Sequence, residues 1–580
     1  MEEAHLEKWR TLLLASLDVS VVQAVDTGLP RWFPEYSIDA YSNLITRHLP
    51  LAGNKPCLKT FDKAGNSATY TYGEVDALVR VVVEKLNIPP GGKLAVIGGP
   101  SIETATLVLA SAFLGCHHTV VIPALPPDSI AARLELFEPD LVITPTDWPG
   151  AGVTTSRTAQ VATLNIAGDN VWINEVLCVR GAPSVNARPQ GRQSARYHAS
   201  DALFSLFTSG STGFPKGIVH GATGFLLYAH YTSNYFFGLG PDSTILCGAA
   251  TGWINGHTYS IYAPLLHGAT SILVEQLANL SMLQPLIDIL IIARATILYL
   301  PVTTVRILRS ISAMKSLPHL ALPLTAIGTM GEMLAPSTEQ WFSDFFSEGH
   351  LPVVNTYFQT ETGGVLCAKQ YNVSPGIQEG EIGPLPWFSS IRSRNGILEL
   401  NDSVPGFMID LMSSDRDNQI KKYFPSCSFC LHDFGSIKNG TLFCSGRSDD
   451  IINVRGSRMA SGEIESQVLA VPNIMECAAV EFKNELELTD LRLFVVLGDR
   501  LMLDDDSYPY QLLSQVTSLL KQKVSELAAP GSFIFVESLP KTQSGKILRR
   551  LLRYLELGQH PKGMVLSLPE AMEIRILGSV

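Results

Sequence analysis

Apolar and polar positions alternate along this chain in two rhythms. From Tyr70 the order Tyr-Thr-Tyr-Gly-Glu leads into helical spacing as far as Leu86. Lys93 to Ile97 is a short apolar run, read as a buried strand. Ser101 to Leu114 returns to helical spacing, and His118 to Ile122 is a second apolar run. Strand and helix in alternation predict a parallel sheet with helices on its faces. The rhythm resumes later. Phe225 to Phe236 reads as a helix, and Thr244 to Cys247 and Ser271 to Val274 read as strands. Ile297 to Leu300 reads as a buried strand followed by Pro301 and a helix. From Gly380 to about Gly446 helices fade, and short strands with Gly, Pro and Asn turns take over. A break at Gly446-Arg447-Ser448-Asp449-Asp450 divides the chain into domains 1–448 and 449–580, the second a compact mixed region. Gly181 to Tyr197 is polar and irregular, a linker or surface loop, and no internal repeat is visible. The expected class is α/β: a large N-terminal domain of parallel sheets with helices and a small β-rich subdomain, then a small α+β C-terminal domain.

Composition narrows the picture. A chain of 580 residues exceeds one core, in keeping with that division. A net charge of −11 argues against a nucleic-acid partner. The basic cluster Lys546 to Arg553, KILRRLLR, reads as a solvated helix face. Nine scattered cysteines, odd in number, suit a reducing compartment. Cys427 and Cys430 form a lone CxxC, with Cys444 and His432 nearby, but the paired ligand spacing of a zinc site is missing. The N-terminus, MEEAHLEKWR, has no apolar segment and does not read as a signal peptide. No apolar run reaches the roughly 18 residues that a membrane span needs. Ile287 to Leu300 comes nearest, is interrupted by Asp288 and Arg294, and reads as core. The C-terminal GSV is not an address signal. The expectation is a cytoplasmic globular protein.

Candidate chemistry begins at Leu206–Gly221, LFTSGSTGFPKGIVHG. Ala202 to Phe207 reads as a strand and Gly217-Ile218-Val219-His220 as another, which predicts a hairpin-like loop. Thr208, Ser209, Ser211 and Thr212 offer hydroxyls. Gly210, Gly213 and Gly217 let N–H groups approach a ligand, and Lys216 adds a mobile charge. This suits a polyphosphate. The Walker pattern does not fit, because Pro215 stands at its second glycine, Gly217 follows the lysine, and a strand follows instead of a helix. An ordinary polar loop remains the alternative, since Ser, Thr and Gly favour turns anyway.

Four further motifs follow: MGEM at Met330–Met333, NTYFQTETGG at Asn355–Gly364, GRSDDIINVRGSRMASGEIES at Gly446–Ser466, and LPKTQSGKILRR at Leu539–Arg550. Together with the loop they resemble the acyl-adenylate-forming, or AMP-binding, superfamily of acyl-CoA synthetases and nonribosomal adenylation domains. GWINGHTY at Gly252–Tyr259 is similar to a Gly-Trp-Val-Thr-Gly-His-Ser-Tyr motif of acetyl- and propionyl-CoA synthetases. WFPEYSIDAYSNLITRHL at Trp32–Leu49 resembles theirs too, so the likeness covers nearly the whole chain.

The resemblance implies an acid–thiol ligase that uses ATP, Mg2+ and CoA. A carboxylate oxygen attacks the α-phosphate of ATP and pyrophosphate leaves. A thiol then attacks the mixed anhydride and AMP leaves. Thr208, Ser209, Gly210, Ser211, Thr212 and Lys216 would hold the β- and γ-phosphates. Gly331, Glu332, Met333, Asn355, Thr356 and Tyr357 would frame the adenine, and Phe358 and Gln359 lie in the same nucleotide-side motif. Thr360 would touch the phosphates and Glu361 would hold Mg2+. Asp433 would accept from the ribose hydroxyls with Arg447 beside it, and Arg458 would meet phosphate oxygens. Lys546 would reach the carboxylate and the α-phosphate and stabilise charge there. With Thr360 and Glu361 it makes the catalytic set. Outside the motif context Asp433 reads as a turn residue, Arg447 as a surface ion pair and Lys546 as a solvated lysine. The resemblance also implies that the C-terminal domain is mobile and swings about Asp449 between half-reactions. Lys546 would then leave and Arg455, Gly456 and Ser457 would line a pantetheine tunnel. Asn255, Asn279 and Lys521 fall near the CoA contacts of relatives.

Three departures stand out. Relatives carry two arginines near the position of Trp148-Pro149-Gly150-Ala151-Gly152, where this chain has none, which weakens CoA binding or points to a carrier-protein pantetheine. Met333 replaces a proline. His432 replaces the glycine before Asp433, so ribose contacts are expected to differ. The acyl pocket is expected between Ile254, Met330 and Phe358, with Phe358 standing where acetate enzymes carry tryptophan. The smaller ring and the larger Ile254 and Met330 roughly offset, so a short-chain acid is expected. The other readings are a ligase that loads a carrier protein in trans and a catalytically silent nucleotide-binding protein. Retention of Lys546, Glu361 and Asp433 argues against the silent binder.

Overall fold

The computed structural model of the chain describes residues 3–22, 32–86, 88–89, 91–145, 160–167, 170–178, 193–209, 215–275, 283–315, 322–332, 334–373, 376, 378, 380–447, 451–454, 457–483, 489–498, 502–503, 505, 507–541, 547–555 and 576–579. The expected alternation is present, and local sequence fixes where its helices begin. Thr71 accepts from the Glu74 amide while the Glu74 carboxylate accepts from the Thr71 amide, a capping box that opens helix Tyr72–Lys85. Ser101 caps Ile102–Leu114, and Gly115 ends it in the left-handed conformation that glycine adopts freely. Almost every residue of that helix is buried, as its nearly unbroken apolar sequence requires.

Two large sheets follow. In the first, Val353–Asn355, Ala326–Met330, Ile297–Pro301, Thr244–Cys247, Thr270–Val274 and Pro56–Phe61 lie side by side and parallel, with Ser67–Thr71 antiparallel at one edge. In the second, Ala202–Ser209, His117–Val121, Lys93–Ile97, Leu141–Pro145 and Gln160–Ala167 are parallel. Pro215–Gly221 and Asp410–Met412 extend one side antiparallel, and Asn170–Cys178 the other. The expected small β-rich subdomain is an antiparallel sheet of Glu381–Pro384, Thr441–Arg447, Phe429–Lys438, Ile397–Leu400 and Ile391–Arg394. Helices do not fade entirely there. RDNQIKKY forms helix Arg416–Tyr423, too short and polar to show periodicity, with only Gln419 and Tyr423 buried. Beyond residue 450 come the hairpin Ile451–Val454 with Ser457–Ala460, helix Ser461–Val468, and a mixed sheet of Ile474–Lys483, Thr489–Leu497, Ser532–Val536 and Ile576–Ser579. Helix Tyr508–Lys523 packs on this unit through Leu512, Val516 and Leu520. The whole is α/β with a C-terminal α+β domain.

The apolar run from Ile287 to Leu300 is core. It closes helix Leu283–Ala293 and opens strand Ile297–Pro301, with Ile287, Leu290, Leu298 and Leu300 in one buried cluster. Among the described residues no helix is long and apolar enough to cross a membrane. The eight described cysteines are free thiols; Cys430 and Cys444 are buried and Cys427 is exposed. Of the irregular stretch Gly181 to Tyr197, residues 181–192 lie outside the described residues, and Tyr197 opens a short strand paired with Tyr36–Ile38.

A buried charge cluster joins the first sheet's helical cover to the small subdomain. Lys369 Nζ lies 3.3 Å from Glu339 of helix Pro336–Ser347 and 3.4 Å from Glu381 of strand Glu381–Pro384. It also donates to the Gly376 carbonyl. Burial pushes the Glu339 carboxyl up to about 6, while Lys369 pulls it down. Breaking a buried pair strands the partner charge. Lys369→Met is therefore expected to destabilise the protein by about 3–5 kcal/mol at neutral pH. A carboxyl whose folded pKa exceeds its unfolded value loses stability as pH rises through that window, here from 4.5 to about 6. Without the lysine this loss deepens, so urea unfolding should show a smaller deficit at pH 5 than at pH 7.5.

Candidate active site

Two of the expected motifs, Met330–Met333 and Asn355–Gly364, begin at the carboxyl ends of the first sheet's parallel strands, where open α/β sheets place ligands. Thr329 pairs with Asn355 and Pro301 with Met330, so three neighbouring strands end together. After Met330 the chain turns at Gly331, whose φ of 91° is left-handed. A Cβ there would meet nothing, so the backbone angle, not space, asks for glycine. The Glu332 carboxylate is engaged by helix Val302–Lys315, accepting from Thr303 Oγ1 at 2.8 Å and Arg306 Nη1 at 2.6 Å. Met333 lies outside the described residues. The Asn355 side-chain oxygen Oδ1 accepts from Thr329 Oγ1 at 3.1 Å. Thr356 Oγ1 donates to the Thr329 carbonyl at 2.9 Å and sits 2.7 Å from the Tyr299 hydroxyl.

The next residues reach into the small subdomain. The Tyr357 hydroxyl donates to Asp433 Oδ2 at 2.6 Å, and Gln359 Nε2 donates to the same oxygen at 3.0 Å and to the Leu431 carbonyl. Asp433 is buried, and its strand pairs it with Arg447, whose side chain lies outside the described part. His432 has a φ of 54°. This is the left-handed conformation, which costs a residue with a Cβ about 1–2 kcal/mol. The unusual histidine is thus a backbone cost, and Asp433 accepts from Tyr357 and Gln359 beside it. His432 Nδ1 lies 3.5 Å from Cys430 Sγ. Among the described residues no group of three or more His, Cys, Asp or Glu side chains could hold a metal.

The expected hairpin is formed. Thr208 pairs with Lys216 and Ser209 with Pro215. Gly210, Ser211 and Thr212 lie outside the described residues, as does the Ser209 side chain. Thr360 and Glu361 sit in the 3-10 turn Thr360–Thr362. The Thr360 carbonyl faces His220 Nε2 at 2.8 Å, and the Gly406 carbonyl faces His220 Nδ1 at 3.0 Å. Burial lowers the His220 pKa to about 4 although both carbonyls pull it upward, and a neutral ring donates to only one of them. Glu361 is buried and accepts from the Tyr423 hydroxyl at one oxygen. Its other oxygen has no hydrogen-bond partner among the described residues. Near the hairpin expected to hold phosphates, such a carboxylate oxygen fits Mg2+, which takes one or two carboxylates together with substrate phosphates. Lys216 Nζ donates to the Tyr423 hydroxyl at 3.2 Å. Sequence reasoning missed Tyr423, and its one signal was a lone aromatic pair, Tyr423-Phe424, closing a polar stretch.

The remaining motifs divide. GWINGHTY is tied to TETGG: Thr258 Oγ1 donates to the Gly363 carbonyl at 3.1 Å, and the Val365 amide donates to the Tyr259 hydroxyl at 3.1 Å. Ile254 and Met330 are buried, and Phe358 is partly buried with its ring 6.1 Å from that of Tyr259. Asn255 lies in the short turn Ile254–Gly256. Lys521 stands on the exposed last turn of helix Tyr508–Lys523. Ser457 and Arg458 belong to strand Ser457–Ala460, their side chains undescribed. Trp148 to Gly152, Asn279, Asp449, Arg455, Gly456 and Lys546 lie outside the described residues. The flanks of Lys546 are held. Lys541 bridges to Ile547, and Arg549 grips Glu465 at 3.0 and 2.6 Å.

A family model described as "AMP-binding enzyme" matches residues 47–392, and "AMP-binding enzyme C-terminal domain" matches residues 463–546. Among curated relatives, the acetyl-coenzyme A synthetase of Xanthomonas oryzae pv. oryzae is 30% identical, over 92% of this chain and 87% of that protein. The enzyme of the same name from Photobacterium profundum is 28% identical, over 92% and 86%. Among solved structures, an acetoacetyl-CoA synthetase from Streptomyces lividans aligns with a TM-score of 0.76 at 19% identity, over 94% of this chain and 88% of that one. An anthranilate CoA ligase in complex with anthranoyl-AMP aligns at 0.74 and 18%, over 90% and 98%. At these identities the two structures speak for the fold.

Tyr357→Phe removes one side-chain donor to Asp433. A hydrogen bond to a charged group is worth about 1.5–3 kcal/mol. AMP affinity, read by titration calorimetry, is expected to fall roughly tenfold or more, with the fold intact.

Proposed function

The chain belongs to the AMP-binding enzyme family, as an AMP-forming acyl-CoA synthetase, and from this premise we propose that it activates a short-chain carboxylic acid. A carboxylate oxygen bonds to the α-phosphorus of ATP, the bond from that phosphorus to the bridging oxygen breaks, and pyrophosphate leaves. The CoA sulfur then bonds to the acyl carbon, the thiol proton is released, and AMP departs with the anhydride oxygen. Carboxylate is a poor electrophile, and adenylation supplies its leaving group. The protein has to hold two anions together and spread the developing charge.

The observation that carries this reading is the meeting of Lys216, Glu361 and Asp433 around one run of chain, Tyr357 to Glu361. Lys216, Thr208 to Thr212 and Thr360 would hold phosphates, and Asp433, with Arg447 beside it, the ribose. Gly331 to Met333 and Asn355 to Tyr357 would frame the adenine, with Phe358 and Gln359 in the same nucleotide-side motif. In this role Glu332 contributes main chain, since its carboxylate is engaged by Arg306. Glu361 would hold Mg2+, which when bound neutralises phosphate charge. Lys546 would stabilise the first half-reaction and Arg458 would meet phosphate oxygens. With the boundary at 448/449, a swing of the C-terminal domain about Asp449 would exchange Lys546 for Arg455, Gly456 and Ser457. Asn255, Asn279 and Lys521 would then contact CoA. Ile254, Met330 and Phe358 support a short acid. One methylene in such a pocket discriminates by only about 1–3 kcal/mol, so neighbouring acids should compete. Free thiols suit the cytoplasm.

The test is carboxylate-dependent pyrophosphate release from ATP across short and medium, straight and branched acids, with and without CoA. Release with short acids, and acyl-CoA when CoA is present, is expected. Release without thioester would move the acceptor to a carrier-bound pantetheine, and no release with any acid would count against the reading. Lys546→Ala is expected to abolish adenylation and to leave ATP binding largely intact. Near wild-type release by that variant would remove Lys546 from its assigned role.

A further inference from the structure

We propose that Tyr423 is a positioning residue that sets the distance between the phosphate-loop lysine and the metal-binding carboxylate. The inference rests on the reading of Lys216 and Glu361 given above and adds a residue that this reading does not contain. Three separate elements meet at one hydroxyl. Lys216 comes from strand Pro215–Gly221, Glu361 from the turn Thr360–Thr362, and Tyr423 from the end of helix Arg416–Tyr423. The Tyr423 hydroxyl accepts from Lys216 Nζ at 3.2 Å and donates its single proton to Glu361 Oε1. Both of its hydrogen-bonding capacities are thus used in one direction, from cation to anion.

The hydroxyl is held in place by the ring behind it. Tyr423 is 4% exposed and stacks on Phe429, with centroids 5.3 Å apart and planes 18° from parallel. The ring of His432 lies against it at 6.1 Å. Lys216 Nζ stands 5.0 Å from the Tyr423 ring centroid, so the ring itself attracts the ammonium. A lysine and a glutamate that pair directly cancel the two charges that a polyphosphate and its cation need. A neutral hydroxyl between them orients both groups without cancelling either charge.

Tyr423→Phe keeps the stacked ring and removes both hydrogen bonds. Misplacing charged groups by about 1 Å costs on the order of 100-fold in rate. The expected result is a 10- to 100-fold lower kcat for pyrophosphate release, a roughly tenfold rise in the Mg2+ concentration for half-maximal rate, and an acid KM within about threefold of wild type. Equilibrium ATP binding, measured with and without Mg2+, should lose most of its Mg2+ enhancement. The double variant Lys216→Met, Tyr423→Phe should be no worse than Lys216→Met alone, because one acts through the other. Phe429→Leu, which loosens the ring and spares the hydroxyl, should shift the Mg2+ requirement in the same direction. Tyr423→Phe with wild-type Mg2+ dependence in binding and rate, or losses that multiply in the double variant, would overturn the proposal. If wild type releases no pyrophosphate with any acid, the functional reading fails, and the ATP-binding comparison with and without Mg2+ still decides the role of Tyr423.

Discussion

When strand Val353–Asn355 ends, the backbone and side chains of the following residues need hydrogen-bond partners, and the neighbouring strand supplies them only at Thr356, which bonds back to Thr329. Other parts of the molecule supply the rest. Tyr357 pairs with Cys367. His220 from the hairpin faces the Thr360 carbonyl, and the Met408 amide donates to the Glu361 carbonyl. Thr258 and Tyr259 hold Gly363 and Val365. A segment satisfied from so many directions has little freedom, and the groups it carries inherit that rigidity. This is how a site drawn from distant stretches of sequence keeps one geometry.

Charge is handled in two ways. Away from the site, Lys369 meets Glu339 and Glu381 directly, and the cluster is spent on joining two parts of the fold. In the site, charged groups also meet neutral ones. Asp433 accepts from a tyrosine and a glutamine, and Lys216 and Glu361 share a tyrosine hydroxyl. A carboxylate oriented by neutral donors keeps its charge for a ligand, whereas one paired with a lysine has already given it up. The same distinction separates Glu332 from its motif neighbours, because its ion pair with Arg306 leaves its carboxylate committed to a helix.

Departures from the family pattern become legible as backbone physics. His432 occupies a left-handed position where glycine is at ease, and the strand still delivers Asp433 to Tyr357 and Gln359. The cost is met by surroundings that fix the conformation: Cys430 beside the imidazole and the ring of Tyr423 against it.

By itself, the sequence determined much. Apolar runs such as Lys93–Ile97 and Thr244–Cys247 could be placed to the residue, because a buried parallel strand leaves an unbroken apolar signature. The hairpin around Lys216 was legible because glycine, proline and hydroxyl residues report local backbone demands. The family was legible from five motifs in order. The tertiary structure decided the partners: that Tyr357 and Gln359 hold Asp433, that Glu332 turns to Arg306, and that Tyr423 joins Lys216 to Glu361. Tyr423 and Lys216 are 207 positions apart, and the helix that carries the tyrosine is short and polar. Local rhythm records which face of an element is buried. It carries no record of which distant side chain will complete a hydrogen bond, because that depends on how the sheets and the subdomain pack together.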